Sequence, residues 1–424
     1  MNFFEKIGVK RKCDCGMEHL CPIEYINIGE GAIGDLTKIT EGYCGILLVA
    51  DENTYAAAGA KVEAALSGKQ VEKVIFGSDI LIPDEAAIDR IEESITDDIE
   101  IVVGIGSGVI NDLCKYTSFR AGLPYVIVAT APSMDGYASV GCALILEGLK
   151  VTLNARVPMA ILADTEVLVT APTDMILSGY GDIIGKYSCL SDWRLSALVN
   201  SEYLCEDVWH ATMREVKKVR ALAKRIAAKE KSAVGALMES LVAVGVLMAY
   251  VGNSRPASGS EHHFSHYFEI TGIIGGKDYL PHGIDVFYSA AETARIRERL
   301  IALANVPTVS KYDEDERIKE TERIYGALAK ETLVLQEKVG FYKKIEERLS
   351  VYREKWEEIR ALLSEAPSFS EMCEIISEVG MNYDDFITFY GRERIDDGTL
   401  YAKDTKDRYT VLWMYYDIFG KGAI

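Results

Sequence analysis

Short runs of apolar and β-branched residues, spaced by helical stretches, set the character of the first 170 residues. They are Gly45-Ile-Leu-Leu-Val-Ala50, Val71-Glu-Lys-Val-Ile-Phe76, Glu100-Ile-Val-Val-Gly104, Tyr125-Val-Ile-Val-Ala129 and Met159-Ala-Ile-Leu-Ala163. Between several of them lie stretches of helical character, such as Asn53 to Leu66 and Asp84 to Ser94. A strand with one wet face alternates apolar and polar residues. Most of these runs do not, so both of their faces must be covered. Strands of that kind separated by helices predict βαβ units and a parallel sheet.

The texture changes after Thr170. Ala171-Pro172-Thr173-Asp174 reads as a linker ending in a helix N-cap, and from there the pattern is nearly all helical. Met213 to Lys231 reads as one basic amphipathic helix, and Asp313 to Leu363 as one or two long, charge-laced helices. The tail, Tyr383 to Ile424, is rich in Tyr, Phe and Trp and is expected to pack. At about 150 residues per domain, 424 residues suggest two or three domains. The expected division is an α/β domain over residues 1–170 and an all-helical domain over 171–424. Ser232 to Gly252 imitates a membrane helix, but it carries Glu239 and many small residues. A span wants roughly 18 uninterrupted apolar residues, so a buried helix of a soluble domain is expected.

Lys and Arg total 46 against 65 Asp and Glu, a formal charge of −19. Phosphate backbones and anionic membrane surfaces call for clustered cations, so neither nucleic acid nor membrane is an expected partner. Nine cysteines, an odd and scattered set, argue against a secreted disulfide framework. The opening Met1-Asn-Phe-Phe-Glu-Lys6 lacks the apolar core of a signal peptide. A reducing cytoplasm is the expected compartment.

The third apolar run leads straight into Gly104-Ile-Gly106-Ser107-Gly108-Val-Ile-Asn111-Asp112. A glycine-rich strand-to-helix turn brings backbone N–H groups close to an anion, and a helix N-terminus favours negative charge. That is chemistry suited to a pyrophosphate, in a Rossmann-like domain. The spacing is G-x-G-x-G and not the usual G-x-G-x-x-G, so a tight turn without a ligand remains an alternative. Asp51 ends the first run, where a carboxylate can bond ribose hydroxyls and favour NAD over NADP, or can simply cap the next helix. Thr130-Ala131-Pro132-Ser133 offers hydroxyls beside the same crevice.

Only six histidines occur, and four of them, His262, His263, His266 and His282, fall close together. His262 and His266 stand four apart in a probable helix and share a face; His263 points elsewhere, as a bystander at the surface or behind a ligand. His282 opens another helix, after Pro281. Two His from separate helices with one carboxylate make a three-ligand site with an open position, as a catalytic metal requires. Asp182, flanked by glycines in Ser178-Gly-Tyr-Gly-Asp182, is the best carboxylate. A second group, Cys13-Asp-Cys15-Gly-Met-Glu-His19-Leu-Cys21, has zinc-like residue types but no C-x-x-C pair; reduced cysteines in a local turn are expected there.

Four motifs together resemble the sn-glycerol-1-phosphate dehydrogenases, most of all their bacterial branch. They are Gly106-Ser-Gly-Val-Ile-Asn-Asp112, Ala129-Thr-Ala-Pro-Ser-Met-Asp135-Gly-Tyr-Ala-Ser139, Gly181-Asp182-Ile-Ile-Gly-Lys186 and Arg255-Pro-Ala-Ser-Gly-Ser-Glu-His262-His-Phe-Ser-His266. The likeness runs from about Gly29 to Arg408. That family belongs with dehydroquinate synthase, glycerol dehydrogenase and the iron-containing alcohol dehydrogenases. The resemblance implies a dehydroquinate synthase-like fold, with an α/β dinucleotide-binding domain before an all-α metal-binding one. It implies Asp182, His262 and His282 as metal ligands, with Asp182 also beside the substrate. It places Asp135 and His266 at the substrate as the catalytic pair. It implies an NAD site lined by Gly106, Ser107, Gly108, Asn111, Asp112, Thr130, Ser133 and Ser139. The chain departs from the pattern at Val140-Gly-Cys-Ala and Glu147-Gly-Leu-Lys150, which leaves NADP open beside NAD.

The implied activity is metal-dependent interconversion of dihydroxyacetone phosphate and sn-glycerol 1-phosphate. Zn²⁺ suits the ligands, and Ni²⁺ and Fe²⁺ accept them too. A phosphorylated small molecule needs cations, and Arg255 and Lys186 are the nearest to the metal motifs. Structural ion pairing is the alternative for both. A homodimer is implied by family alone. Competing readings are a glycerol or alcohol dehydrogenase, a dehydroquinate synthase-like lyase and a non-catalytic binding protein. The lyase is disfavoured by Glu261-His262 where that family shows Gly-His, and by Asp182 where it often has Glu.

Overall fold

The computed structural model describes residues 7–147, 149–308 and 312–420. The signal-peptide expectation falls on Met1 to Lys6, and part of the Glu147 to Lys150 departure on Gly148; both lie outside the described residues. The chain forms two compact units: Met1–Ile183 with Lys217–Asn253, and Ile184–Val216 with Ser254–Ile424.

The first unit holds an antiparallel hairpin of β1 (Arg11–Lys12) and β2 (Glu18–His19). Its sheet is built from β3 (Tyr25–Gly29), β4 (Gly45–Asp51), β5 (Gln70–Phe76), β6 (Ile101–Gly106) and β7 (Tyr125–Ala129). A second hairpin, β8 (Gly141–Leu146) and β9 (Leu149–Asn154), precedes the last sheet strand, β10 (Ala160–Asp164). The six sheet strands are parallel, in the order β3-β10-β7-β6-β4-β5. The side chains of the four inner strands, β10, β7, β6 and β4, are almost wholly sealed on both faces, as the non-alternating runs require, while the edge strands β3 and β5 stay partly exposed. Ile46, Leu48, Val103, Val126 and Leu162 are all fully buried. The connecting helices include α1 (Leu36–Ile39), α2 (Glu52–Ala65), α3 (Glu85–Glu92), α4 (Gly108–Ala121) and α5 (Thr165–Leu168).

From Thr173 onward every described element is helical. They begin with α6 (Thr173–Asn200), α7 (Glu206–Arg220), α8 (Ala223–Ala227), α9 (Lys231–Val251), α10 (Ser260–Gly275) and α11 (His282–Ile301). The basic stretch from Met213 to Lys231 is therefore not one helix. It stops at Arg220, resumes over Ala223–Ala227, and turns at Lys229, whose φ of 53° cannot continue a helix. The charge-laced stretch from Asp313 to Leu363 is likewise cut into four short helices. Gly326 and Gly340, both at positive φ, end two of them. Helix α9 is long and apolar enough to cross a membrane, yet 78% of its most apolar window is buried within the protein. Its Leu241, Val242 and Val244 are core residues. The aromatic tail packs, with Trp413 and Tyr415 fully buried.

Candidate active site

The sheet order puts a reversal between β4 and β6. The chain steps from β4 to its neighbour β5, then returns to build β6 on the other side of β4. In an open parallel sheet, dinucleotides bind outside the carboxyl ends of the strands at such a reversal. Asp51 ends β4 and Gly106 ends β6, so both expected cofactor positions flank it. Thr130 follows β7 next door, and its N–H donates to the Gly106 carbonyl at 3.1 Å.

The glycines there are needed for close approach. A Cβ on Gly106 would lie 2.5 Å from the Cβ of Ile110, and one on Gly104 would lie 2.9 Å from the Cys114 sulfur. Only glycine lets α4 start this close to the strand. Ser107, the N-cap of α4, makes no side-chain cap bond. The first N–H groups of α4, including that of Gly108, have no partner within the helix by geometry and suit an anion.

Other expected cofactor residues also brace the fold. The Asp112 carboxylate accepts from the Ala143 N–H at 3.0 Å, the Asn111 amide at 3.2 Å and the Lys115 ammonium at 3.5 Å. It ties α4 to β8. Ser139 donates to the Gly136 carbonyl at 3.0 Å, and Ser133, half-buried, bonds with the Tyr137 hydroxyl. Asp51 caps α2: its Oδ1 accepts the Thr54 N–H at 2.9 Å, and its own N–H donates to the Thr54 hydroxyl at 3.1 Å. The capping alternative is thus present, whatever the second oxygen does.

The metal candidates converge. Asp182, His262 and His282 each offer one ligand atom, and all of these lie within 4.8 Å of one another. The Asp182 Oδ2 accepts the backbone N–H of Asp135 at 2.9 Å, which brings Asp135 beside the group. Gly179, three residues before Asp182 on α6, is there for contact: a Cβ would sit 1.8 Å from the Pro132 carbonyl oxygen. His266 joins the cluster, its ring 6.4 Å from that of His262 and 5.6 Å from that of His282.

Each histidine ligand is aimed by a partner. Glu261 Oε1 accepts the Gly259 N–H at 2.8 Å and stands 2.7 Å from His262 Nδ1. An oxygen already serving as acceptor fixes the proton on Nδ1 and leaves Nε2 for a metal. The Ser265 hydroxyl stands 3.1 Å from His282 Nδ1 and orients that ring. Burial, and then the charge of Lys186, hold His262 well below the ordinary imidazole pKa, so it is neutral as ligation requires. Burial and nearby Asp192 push the Glu261 carboxyl up to about 8. Asp192 in turn accepts the N–H groups of Ser260 and Val411, each at 2.7 Å, and so pins the start of α10.

His263 is fully buried, so of the two placements expected for it the one at the surface is overturned. Arg255 is corrected as well. Its guanidinium clasps Glu202 with two nitrogens and donates to the Tyr409 carbonyl at 2.9 Å. The fork that would hold a phosphate is engaged, which is the ion-pair alternative. Lys186 is fully buried, and its charge, with that of half-buried Lys406, is felt at His262. Sequence reasoning overlooked Glu261 and Ser265 as aiming groups and Lys406 as a cation. The i−1 and i+3 positions around His262 were the one available signal.

The glycerol-1-phosphate dehydrogenase, NAD(P)+, of Halalkalibacterium halodurans is 35% identical over 289 residues, 66% of this chain and 72% of that protein. Its counterpart from Bacillus licheniformis is 33% identical over 297 residues, 68% of this chain and 74% of that one. The chain belongs to the glycerol-1-phosphate dehydrogenase family. Residues 27–172 also match the family model described as iron-containing alcohol dehydrogenase. Among solved structures, sulfoacetaldehyde reductase from Bifidobacterium kashiwanohense in complex with NAD+ aligns over 98% of this chain and all of that one. Its TM-score is 0.59 at 16% identity. A probable glycerol dehydrogenase from Sinorhizobium meliloti aligns over 95% of this chain and 97% of that one, with a TM-score of 0.61 at 15% identity. At such identities the likeness establishes the fold that this family member shares.

Proposed function

We propose that this family member is a metal-dependent, NAD(P)-linked oxidoreductase interconverting dihydroxyacetone phosphate and sn-glycerol 1-phosphate. The observation that carries the reading is the convergence of Asp182, His262 and His282 beside Asp135. The donor set fits a divalent cation: one carboxylate and two imidazoles, with Nδ1 of each ring occupied by a partner. Zn²⁺ is the expected ion, with Ni²⁺ or Fe²⁺ as alternatives. A cation held there supplies Lewis acidity toward a substrate oxygen, and a nicotinamide supplies or takes the hydride.

The chain's own residues do the rest. Asp182, His262 and His282 hold the ion. The Asp135 carboxyl orients the substrate hydroxyls, and its backbone N–H fixes Asp182. His266 stands beside both histidine ligands and holds or passes a proton at its ring. Lys186 and Lys406 supply positive potential for the substrate phosphate in an otherwise acidic protein. The turn from Gly106 to Gly108 and the helix start behind it receive the dinucleotide phosphates, and Asp51 favours NAD over NADP. The protein acts as a cytoplasmic homodimer.

The test follows NADH absorbance with dihydroxyacetone phosphate, with free dihydroxyacetone and with no substrate, each with and without chelator. Turnover of the phosphorylated ketone that chelator abolishes is expected. Equal turnover of free dihydroxyacetone would replace the reading with a glycerol dehydrogenase, and chelator-insensitive turnover would remove the metal from it.

A further inference from the structure

A second ligand group shares no residue with the first. Cys13, Cys15, His19 and Cys205 each offer one atom, all within 4.8 Å of one another. The hairpin makes three of them neighbours. Arg11 pairs with His19 and Lys12 with Glu18, and the turn closes with the Cys13 N–H on the Met17 carbonyl at 3.1 Å. Gly16, at a φ of 86°, makes that turn tight enough to face both sulfurs toward the histidine. Cys21, which the sequence placed in the same run, is not in the group. Cys205 takes its place, standing immediately before α7 with its carbonyl accepting the Trp209 N–H at 2.9 Å. A helix N-terminus favours a thiolate.

The histidine tautomer can be read from its partners. His19 Nδ1 is 2.7 Å from the Tyr250 carbonyl oxygen, which can only accept. The proton is therefore on Nδ1, and in the neutral ring the lone pair is on Nε2. Nε2 faces the Cys15 sulfur at 3.5 Å. With Zn–S near 2.3 Å and Zn–N near 2.0–2.1 Å, a tetrahedral zinc has an S···N edge of about 3.5 Å. The carbonyl behind the ring is the usual orienting partner of a metal-bound histidine. The Tyr250 ring stacks on the imidazole at 5.6 Å and screens it from water.

We propose that Cys13, Cys15, His19 and Cys205 form a closed structural zinc site. Three thiolates and an imidazole select zinc over the harder ions that carboxylates take, and a full set of four leaves no position for substrate. The site staples a hairpin of two-residue strands, too short to hold itself. Loading releases the thiol protons, so zinc is held more weakly as pH falls.

Elemental analysis of the full-length His262→Ala chain after dialysis against a mild chelator isolates this site from the catalytic one. About one zinc per chain is expected to remain, and a further Cys13→Ser/Cys15→Ser change should remove it. A His262→Ala chain devoid of zinc overturns the proposal. Because the serine variant can fail by misfolding, the unsubstituted chain grown with Co²⁺ gives an independent readout. A thiolate-to-cobalt charge-transfer absorption in the near ultraviolet is expected, which a carboxylate–imidazole site cannot produce. Cobalt-loaded protein lacking that absorption overturns the proposal as well.

Discussion

The turn after β6 and the metal corner on α6, α10 and α11 are built on opposite plans. The turn is made of backbone and of missing side chains; what matters is the space left at Gly104 and Gly106. The metal corner is made of side chains aimed by other side chains, with Glu261 behind His262 and Ser265 behind His282. The first should be damaged by adding atoms and the second by removing them.

The largest effect should come from His262→Ala. Losing a partner of a metal ligand already costs about 10- to 100-fold, so losing the ligand itself should lower turnover by more than about 100-fold. NADH affinity, measured by fluorescence titration, should stay near the parent value, since the turn is untouched. A variant that keeps most of its activity would break the assignment of the corner.

Gly106→Ala reverses the logic. Its Cβ would intrude to 2.5 Å of Ile110, and overpacking of this kind costs about 1–3 kcal/mol. If the strain falls on the pyrophosphate site, KM for the nicotinamide should rise about 5- to 150-fold. Metal content should not change. Unaltered KM and unaltered Tm together would show that the turn has room to spare.

The two plans also explain what could be read from the sequence. The parallel sheet was legible because strands sealed on both faces leave apolar runs, and the glycine turn because close approach leaves glycines. Strand β3 was missed: Tyr25-Ile-Asn-Ile-Gly29 lies at the sheet edge and alternates like a half-exposed strand. The two histidines on α10 were legible by their spacing of four, since one helix face presents both. Asp182 was legible only through its glycines. Asp192, Lys406 and Cys205 were not, because nothing local marks a side chain whose partners lie in distant segments. Arg255 misled for the same reason: its partner Glu202 is 53 residues away.

Glu261 gives a smaller and sharper test of the side-chain plan. Glu261→Ala removes the acceptor at His262 Nδ1 and should weaken metal binding by about 10- to 100-fold. Glu261→Gln keeps an acceptor oxygen and should recover most of that loss. If Gln is as damaging as Ala, charge and not orientation is the contribution of Glu261.

The smallest effect should come from Asp51, where both plans meet. Its side chain caps α2, and replacing a cap by Ala costs about 1 kcal/mol. That corresponds to roughly 2–4 °C in Tm for a unit of this size. Asn caps nearly as well as Asp, so Asp51→Asn should leave Tm close to the parent. It nevertheless deletes the charge that repels a 2′-phosphate. The ratio of kcat/KM for NADPH to that for NADH should therefore rise in Asp51→Asn with no loss of stability. An unchanged ratio would leave Asp51 as a helix cap alone, and cofactor choice would then have to arise elsewhere along the crevice.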